Sequence, residues 1–146
     1  MTMILAVTKS YGLGKDNKLP WNVPSDFKHF KETTWGRTLV VGKKTFEGMP
    51  KLKGRHFIVV SKDNPIRKEI VDGNIVIGGR QVYLECLRLG LIDKIICTHL
   101  DLDTSCDVFM PADFLDGFSV IETKYLEGNH KVCTYVKNDQ RGVAFA

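Results

Sequence analysis

Asp26 is the residue in this sequence best placed to do chemistry. It stands in Pro24-Ser25-Asp26-Phe27-Lys28-His29-Phe30, at the start of a helix-like stretch running through Thr34. A carboxylate in the first turn of a helix is favoured by the helix dipole, and stabilising that turn is its ordinary use. Asp26, Phe30 and Thr33 also share one stripe at i, i+4, i+7 spacing, with Phe27 beside it. A carboxylate between aromatic rings lines an apolar pocket, where burial favours its neutral form. A carboxyl that keeps its proton towards neutral pH can serve as a proton donor.

Other segments carry chemistry only in combination. Gly12-Leu13-Gly14-Lys15-Asp16-Asn17-Lys18-Leu19-Pro20-Trp21-Asn22 is a polar, glycine-rich loop ending in an aromatic anchor. Such a loop can close over a ligand, or simply join two elements with Trp21 as a packing plug. Gly42-Lys43-Lys44-Thr45 follows an apolar run and opens a short helix. The free N–H groups of a helix start bind phosphate, and Lys43 and Thr45 add donors; a solvated basic helix start is the plainer alternative. Ile77-Gly78-Gly79-Arg80-Gln81 runs from a strand through a double glycine into a helix, but neither G-x-G-x-x-G nor a P-loop is present. Arg55 can grip a carboxylate with two parallel hydrogen bonds, or decorate a strand edge. Thr98 can donate to a carboxylate across a sheet, or be an ordinary strand threonine.

Metal and nucleophile chemistry find little support. The histidines at 29, 56, 99 and 130 have no paired spacing, and H-E-x-x-H and G-x-S-x-G are absent. The cysteines at 86, 97, 106 and 133 form no C-x-x-C pair, so reduced thiols and no metal are expected.

The elements that must position these groups follow from apolar patterning. Strand-like runs occur at Met3–Thr8, Thr38–Val41, His56–Ser61, Ile75–Ile77, Lys94–His99, Phe118–Tyr125 and Lys131–Lys137. Helical segments are expected at Ser25–Thr34, Lys43–Gly48 and Gln81–Leu89. Their alternation predicts an α/β fold. Leu39–Val41 and Phe57–Val60 read as strands buried on both faces. The last two runs flank Glu127-Gly128-Asn129-His130, a hairpin loop. The expectation is one domain over 1–146: a central, mostly parallel, twisted sheet of about eight strands, with flanking helices and a C-terminal antiparallel hairpin. A flexible tail is expected at 141–146.

Composition bounds the partners. A chain of 146 residues with 43% hydrophobic and 26% charged content builds a core without disulfides. The net charge of +4 suits an anionic ligand and is too small to argue for nucleic acid. It is also concentrated: between Arg37 and Arg55 six basic residues face Glu47 alone, net +5, leaving −1 for the rest. Met1–Val7 is too short for a signal core, and no run approaches the ~18 apolar residues of a membrane span. A cytoplasmic monomer without membrane contact is expected.

The order and spacing of several segments resemble dihydrofolate reductases over nearly the whole chain. They are Leu19-Pro20-Trp21-Asn22-Val23-Pro24-Ser25-Asp26, Phe30-Lys31, Val41-Gly42-Lys43-Lys44-Thr45-Phe46-Glu47, Leu52-Lys53-Gly54-Arg55, Ile77-Gly78-Gly79 with Val82-Tyr83, Thr98-His99, and Asp107 with Pro111. The most specific part is L-P-W-x-x-P-x-D, joined by V-G-x-x-T-[FW]-E and I-G-G.

The resemblance implies reduction of 7,8-dihydrofolate to tetrahydrofolate by NADPH, with antifolates as inhibitors. It implies that Asp26 holds the pterin's 2-amino and N3 edge and promotes protonation of N5, with Thr98 bonded to its carboxylate. Trp21 and Tyr83 would belong to the catalytic region, Tyr83 near the nicotinamide. Ile4, Phe27, Phe30, Met49, Leu52 and Ile77 would line the substrate pocket, and Arg55 would hold the glutamate carboxylate. Ala6, Leu13 and Gly14 would contact the nicotinamide side. Gly42, Lys43, Lys44, Thr45, Ser61, Lys62, Gly78, Gly79, Arg80 and Gln81 would take the rest of the cofactor. Gly14 to Trp21 would be a mobile loop steadied by Asp107, and the Gly78-Gly79 peptide would be cis.

Three departures stand out. Arg80 and Gln81 replace a usual third glycine and arginine; Lys43 stands where Arg is common, weakening the grip on a 2′-phosphate; and 62–74 is short. A pyrimidine reductase of the same fold, lacking L-P-W-x-x-P-x-D, is one rival. A non-enzymatic nucleic-acid-binding or assembly module is the other.

Overall fold

Alternate side chains of the first strand, β1 (Thr2–Val7), enter two different cores. Met3, Leu5 and Val7 join a larger cluster with Val40, Val76, Ile95, Cys97 and Cys133. Ile4 joins a smaller one with Leu39, Val41, Ile75 and Ile77. A strand with period two and apolar groups on both faces must be covered on both sides. This is why the central runs are continuously apolar rather than alternating.

The computed structural model describes residues 1–15 and 19–139. The expected tail at 141–146 and the loop residues 16–18 lie outside them. After β1 come β2 (Gly12–Gly14), α1 (Pro24–Thr34), β3 (Thr38–Gly42), α2 (Lys43–Gly48), β4 (His56–Val60) and α3 (Lys68–Val71). They are followed by β5 (Ile75–Gly78), α4 (Arg80–Arg88), β6 (Lys94–His99), β7 (Val108–Phe109), β8 (Phe118–Leu126) and β9 (His130–Lys137). The main sheet runs β4-β3-β5-β1-β6-β9-β8. The first five strands in that order are parallel. β9 is antiparallel to β6, and β8 to β9.

The mostly parallel sheet with its C-terminal hairpin is therefore as expected, with seven strands among the described residues where about eight were expected. Two more, β2 and β7, form a separate antiparallel ribbon. The glycine-rich loop thus begins as a strand. Gly12 permits it, because a Cβ there would lie 2.4 Å from Cys106 Sγ and 2.9 Å from Thr8 Oγ1. The Gly12 N–H donates to that same Thr8 hydroxyl at 2.9 Å.

Other boundaries move by a residue or so. α1 opens at Pro24, whose missing N–H costs nothing in a first turn. His130, expected in the hairpin loop, begins β9, because left-handed backbone at Gly128 (φ 93°) and Asn129 (φ 65°) closes the turn early. The short 62–74 segment holds the single-turn α3, whose Val71 is fully buried in the larger core. Among the described residues no helix is long and apolar enough to cross a membrane.

Ile95 on β6 is fully buried in the larger core. Ile95→Ala is expected to lower the unfolding free energy by about 2–5 kcal/mol, read from the midpoint of a urea titration followed by circular dichroism.

Candidate functional site

Parallel strands end on one edge of a sheet, and in open α/β folds ligands bind along that edge. The chain delivers its glycines and bases there. Gly42 ends β3 and Lys43-Lys44-Thr45 open α2; Ser61-Lys62 follow β4; Gly78 ends β5 and Arg80-Gln81 open α4. Thr98 lies near the end of β6, opposite Ala6 on β1.

Asp26 is half-buried in the first turn of α1. Its carboxylate is hydrogen-bonded to the Thr98 side chain, and Thr98 is itself 1% exposed. The hydroxyl is the donor in this pair, since an ionised carboxylate can only accept. Burial raises the Asp26 pKa above its ordinary value of 3.8; the Thr98 bond and the charge of His130 pull it back in part. His130 is a residue that sequence reasoning missed. It is buried, and its Nδ1 accepts the Asp101 N–H at 2.9 Å. The hairpin also reaches α1 directly, since the Ser25 hydroxyl donates to the Glu127 carbonyl at 3.0 Å. Nothing in local spacing links a hairpin histidine to a carboxylate so far back in the chain.

Four of the six expected pocket residues come together. Ile4 and Ile77 belong to the smaller core, and Phe30 and Met49 pack against it. Leu52 is half-buried after α2 and is not part of that cluster. Phe27 departs further: it is 41% exposed, with Lys31 Nζ 4.9 Å from its ring centre. One residue advances a helix by about 100°, so Phe27 turns outward when Asp26 turns inward.

Tyr83 reaches across from α4 and donates its hydroxyl to the Ile4 carbonyl at 2.8 Å. A Cβ at Gly78 would stand 3.1 Å from that hydroxyl. Burial pushes the Tyr83 phenol well above its ordinary range, so it remains a neutral donor. The Gly78-Gly79 peptide is cis.

Arg55 is held at three points. Nε donates to Thr34 Oγ1 at 3.1 Å, Nη1 to the Lys53 carbonyl, and Nη2 to the Lys31 carbonyl at 2.5 Å. Its guanidinium lies 5.3 Å from the Trp35 ring centre. Lys31, Glu32, Trp35 and Arg55 line an open cleft of about 300 Å³.

On the other side, Lys43, Lys44, Ser61, Lys62, Arg80 and Gln81 are exposed. Arg80 does not simply point to open solvent: its Nε donates to the Phe109 carbonyl on β7 at 2.7 Å. Leu13 and Gly14 lie in β2, and the Gly14 carbonyl accepts the Asp107 N–H at 2.9 Å. Asp107 thus meets the start of the glycine-rich loop through its backbone. Trp21 is half-buried just ahead of α1.

Comparison with known proteins agrees with this arrangement. The sequence profile of the dihydrofolate reductase family matches residues 1–74. Dihydrofolate reductase type 3 from Salmonella typhimurium is 32% identical, over 84% of this chain and 85% of its own length. Dihydrofolate reductase type 9 from Escherichia coli is 30% identical, over 83% and 81% respectively. The solved structure of dihydrofolate reductase from Enterococcus faecalis, complexed with NADP(H) and RAB-propyl, superimposes with a TM-score of 0.78. It is 27% identical and covers 94% of this chain and 96% of that one.

The raised Asp26 pKa has a consequence for stability. Between the ordinary carboxylate value and the raised one, the native state binds a proton that the unfolded chain has lost. Stability therefore falls as pH rises through that window. Asp26→Asn removes the titration while keeping an acceptor for Thr98. The variant is expected to have the higher Tm at neutral pH, with the advantage shrinking as pH is lowered towards about 4. Paired thermal melts across that range measure it; an advantage independent of pH would contradict it.

Proposed function

This chain belongs to the dihydrofolate reductase family, and from that premise we propose how its residues reduce 7,8-dihydrofolate to tetrahydrofolate with NADPH. The observation that carries the reading is a half-buried Asp26, raised in pKa and bonded to Thr98, beside the apolar cluster of Ile4, Phe30, Met49 and Ile77.

The residues suit the cofactor. A Cβ at Gly79 would lie 2.8 Å from Thr45 Oγ1, and one at Gly42 would lie 3.1 Å from Val82 and 3.7 Å from the Gly78 carbonyl. The starts of α2 and α4 thus form a cradle that only glycine leaves open. Neither helix has a side-chain cap bond, so no cap competes for the first-turn N–H groups. Thr45, Lys43, Lys44, Ser61 and Lys62 would hold phosphate there, with Gln81 and the terminal nitrogens of Arg80 beside them. Ala6, Leu13 and Gly14 would meet the nicotinamide end.

When bound, NADPH supplies the hydride that reduces C6 of the pterin. Asp26 holds the 2-amino and N3 edge and promotes delivery of a proton to N5. Its raised pKa leaves a larger protonated fraction near neutrality than an ordinary carboxyl has. Thr98 fixes the orientation of that carboxyl. Tyr83, tied to the Ile4 carbonyl, shapes the floor of the nicotinamide site. Trp21 closes the pocket at the end of the loop, while Phe27 and Leu52 would complete its rim.

Arg55 has five N–H donors, and three serve Thr34, Lys53 and Lys31. One N–H on each terminal nitrogen is left to fork onto the substrate's glutamate carboxylate. Antifolates would occupy the same pocket. The central strands contribute to both cores, which supports reading residues 1–146 as a single domain.

The deciding experiment is an assay of dihydrofolate reduction, followed by loss of the reduced nicotinamide's absorbance, with NADPH and NADH in parallel. Asp26→Asn is expected to lose at least ~10²-fold in turnover at neutral pH; near-native turnover would remove Asp26 from the chemistry. Arg55→Ala is expected to raise KM for dihydrofolate far more than for a pterin substrate without the glutamate tail. Equal effects on the two would take Arg55 out of the substrate site.

A further inference from the structure

β8 is an end strand of the seven-stranded sheet: one edge pairs with β9, and among the described residues no strand pairs with the other. Such an edge is a template for another strand. This one is nine residues long and exposed over most of its length. It carries Val120 at 50%, Ile121 at 53% and Tyr125 at 72% exposure, alongside exposed Glu122 and Lys124. The register against β9 shifts between Val120 and Glu122. Ile121 is thus the extra residue of a bulge, without a partner on β9.

The sequence of the strand is matched to itself about Thr123. If a second copy approaches antiparallel around a two-fold axis at Thr123, Glu122 faces Lys124 of the other copy, and Lys124 faces Glu122. Past Glu122 the bulge at Ile121 interrupts the regular alternation, so the matched pairs are those of Glu122, Thr123 and Lys124. Opposite charges and apolar pairs directly across strands stabilise a sheet, while like charges directly across destabilise it. Moving the axis to Glu122 or to Lys124 sets like charges against each other. The two charges therefore favour this register over its one-residue neighbours instead of forbidding pairing.

We infer that β8 is a self-association edge that joins two copies into one continuous sheet. The contact is isologous and closes at two chains. It joins a single strand edge, short of the ~1,000 Å² of a stable interface, so association is weak and concentration-dependent. The sequence alone points to a monomer, because Ile121 and Tyr125 are unremarkable until the fold sets them on a bare edge. The candidate catalytic groups Trp21, Asp26, Tyr83 and Thr98 lie at or just before α1, on α4 and on β6, and neither Glu122 nor Lys124 is among them.

Sedimentation equilibrium from ~1 µM to ~1 mM protein tests this. The mass is expected to rise from one chain to two. Glu122→Lys and Lys124→Glu should each move the midpoint to at least tenfold higher concentration. An equimolar mixture of the two single variants should associate again, since every charged pair is then complementary. The double exchange Glu122→Lys with Lys124→Glu should also restore the dimer. Circular dichroism and dihydrofolate turnover serve as checks that the variants fold. A single mass throughout, single variants that associate like the parent, a mixture that stays dissociated, or growth beyond two chains would each overturn the assignment.

Discussion

The hydrogen bond between Thr98 and the Asp26 carboxylate is the constraint around which the rest of the molecule is arranged. It joins a helix start to the interior of a sheet, so both must be fixed before the bond can exist. β6 is held in register against β1 over its whole length, which sets Thr98 beside Ala6. α1 is fixed at its entry by Pro24 and by the bond from Ser25 to the hairpin. One hydroxyl does not fully offset the desolvation of a carboxylate, and the pKa stays above its ordinary value. The site is thus mildly unfavourable at neutral pH, and the two apolar cores around it supply the stability that sustains it. A carboxyl that was fully compensated would be an ordinary ionised aspartate and a poor proton source.

A second constraint concerns room. Phosphate can reach a helix start only where side chains stand back, and here the approach of two helix starts leaves no space for a Cβ at Gly79 and little at Gly42. The same economy operates at the end of β5, where Tyr83 occupies the volume that a side chain at Gly78 would need. Placing the cations Lys43 and Lys44 on α2, immediately after a buried strand, sets their charge at the edge where the parallel strands end. The basic stretch between Arg37 and Arg55 is therefore divided by topology, with Lys43 and Lys44 at that edge and Arg37 and Arg55 just ahead of β3 and β4 at the other.

How much of this was legible in the sequence depends on whether a feature is local. β1, β3 and β5 were readable because burial on both faces leaves an unbroken apolar run. The motif ending in Asp26 was readable because its residues are consecutive. The β2–β7 ribbon was not, since strands of three and two residues have no period and one of them is two-thirds glycine. His130 was hidden because its influence on Asp26 arises from hairpin placement. Phe27 stands apart from Asp26 for a geometrical reason: one residue advances a helix by about 100°, so i and i+1 face different ways. Leu52 follows α2 and lies outside the cluster that gathers Ile4, Phe30, Met49 and Ile77.

Arg80 shows how a departure from family pattern can be absorbed by the fold. A glycine at that position would leave the start of α4 without a side chain. Here the guanidinium spans from that start to the Phe109 carbonyl on β7. β7 is paired to β2, and the Gly14 carbonyl at the end of β2 is bonded to the Asp107 N–H. The turn after β5 and the glycine-rich loop are consequently joined by an unbroken chain of hydrogen bonds. In a neutral hydrogen bond between exposed groups the net gain is small, and a charged donor raises it. The positive charge at position 80 thus supports the ribbon through Nε. That contact is one that glycine at this position could not make.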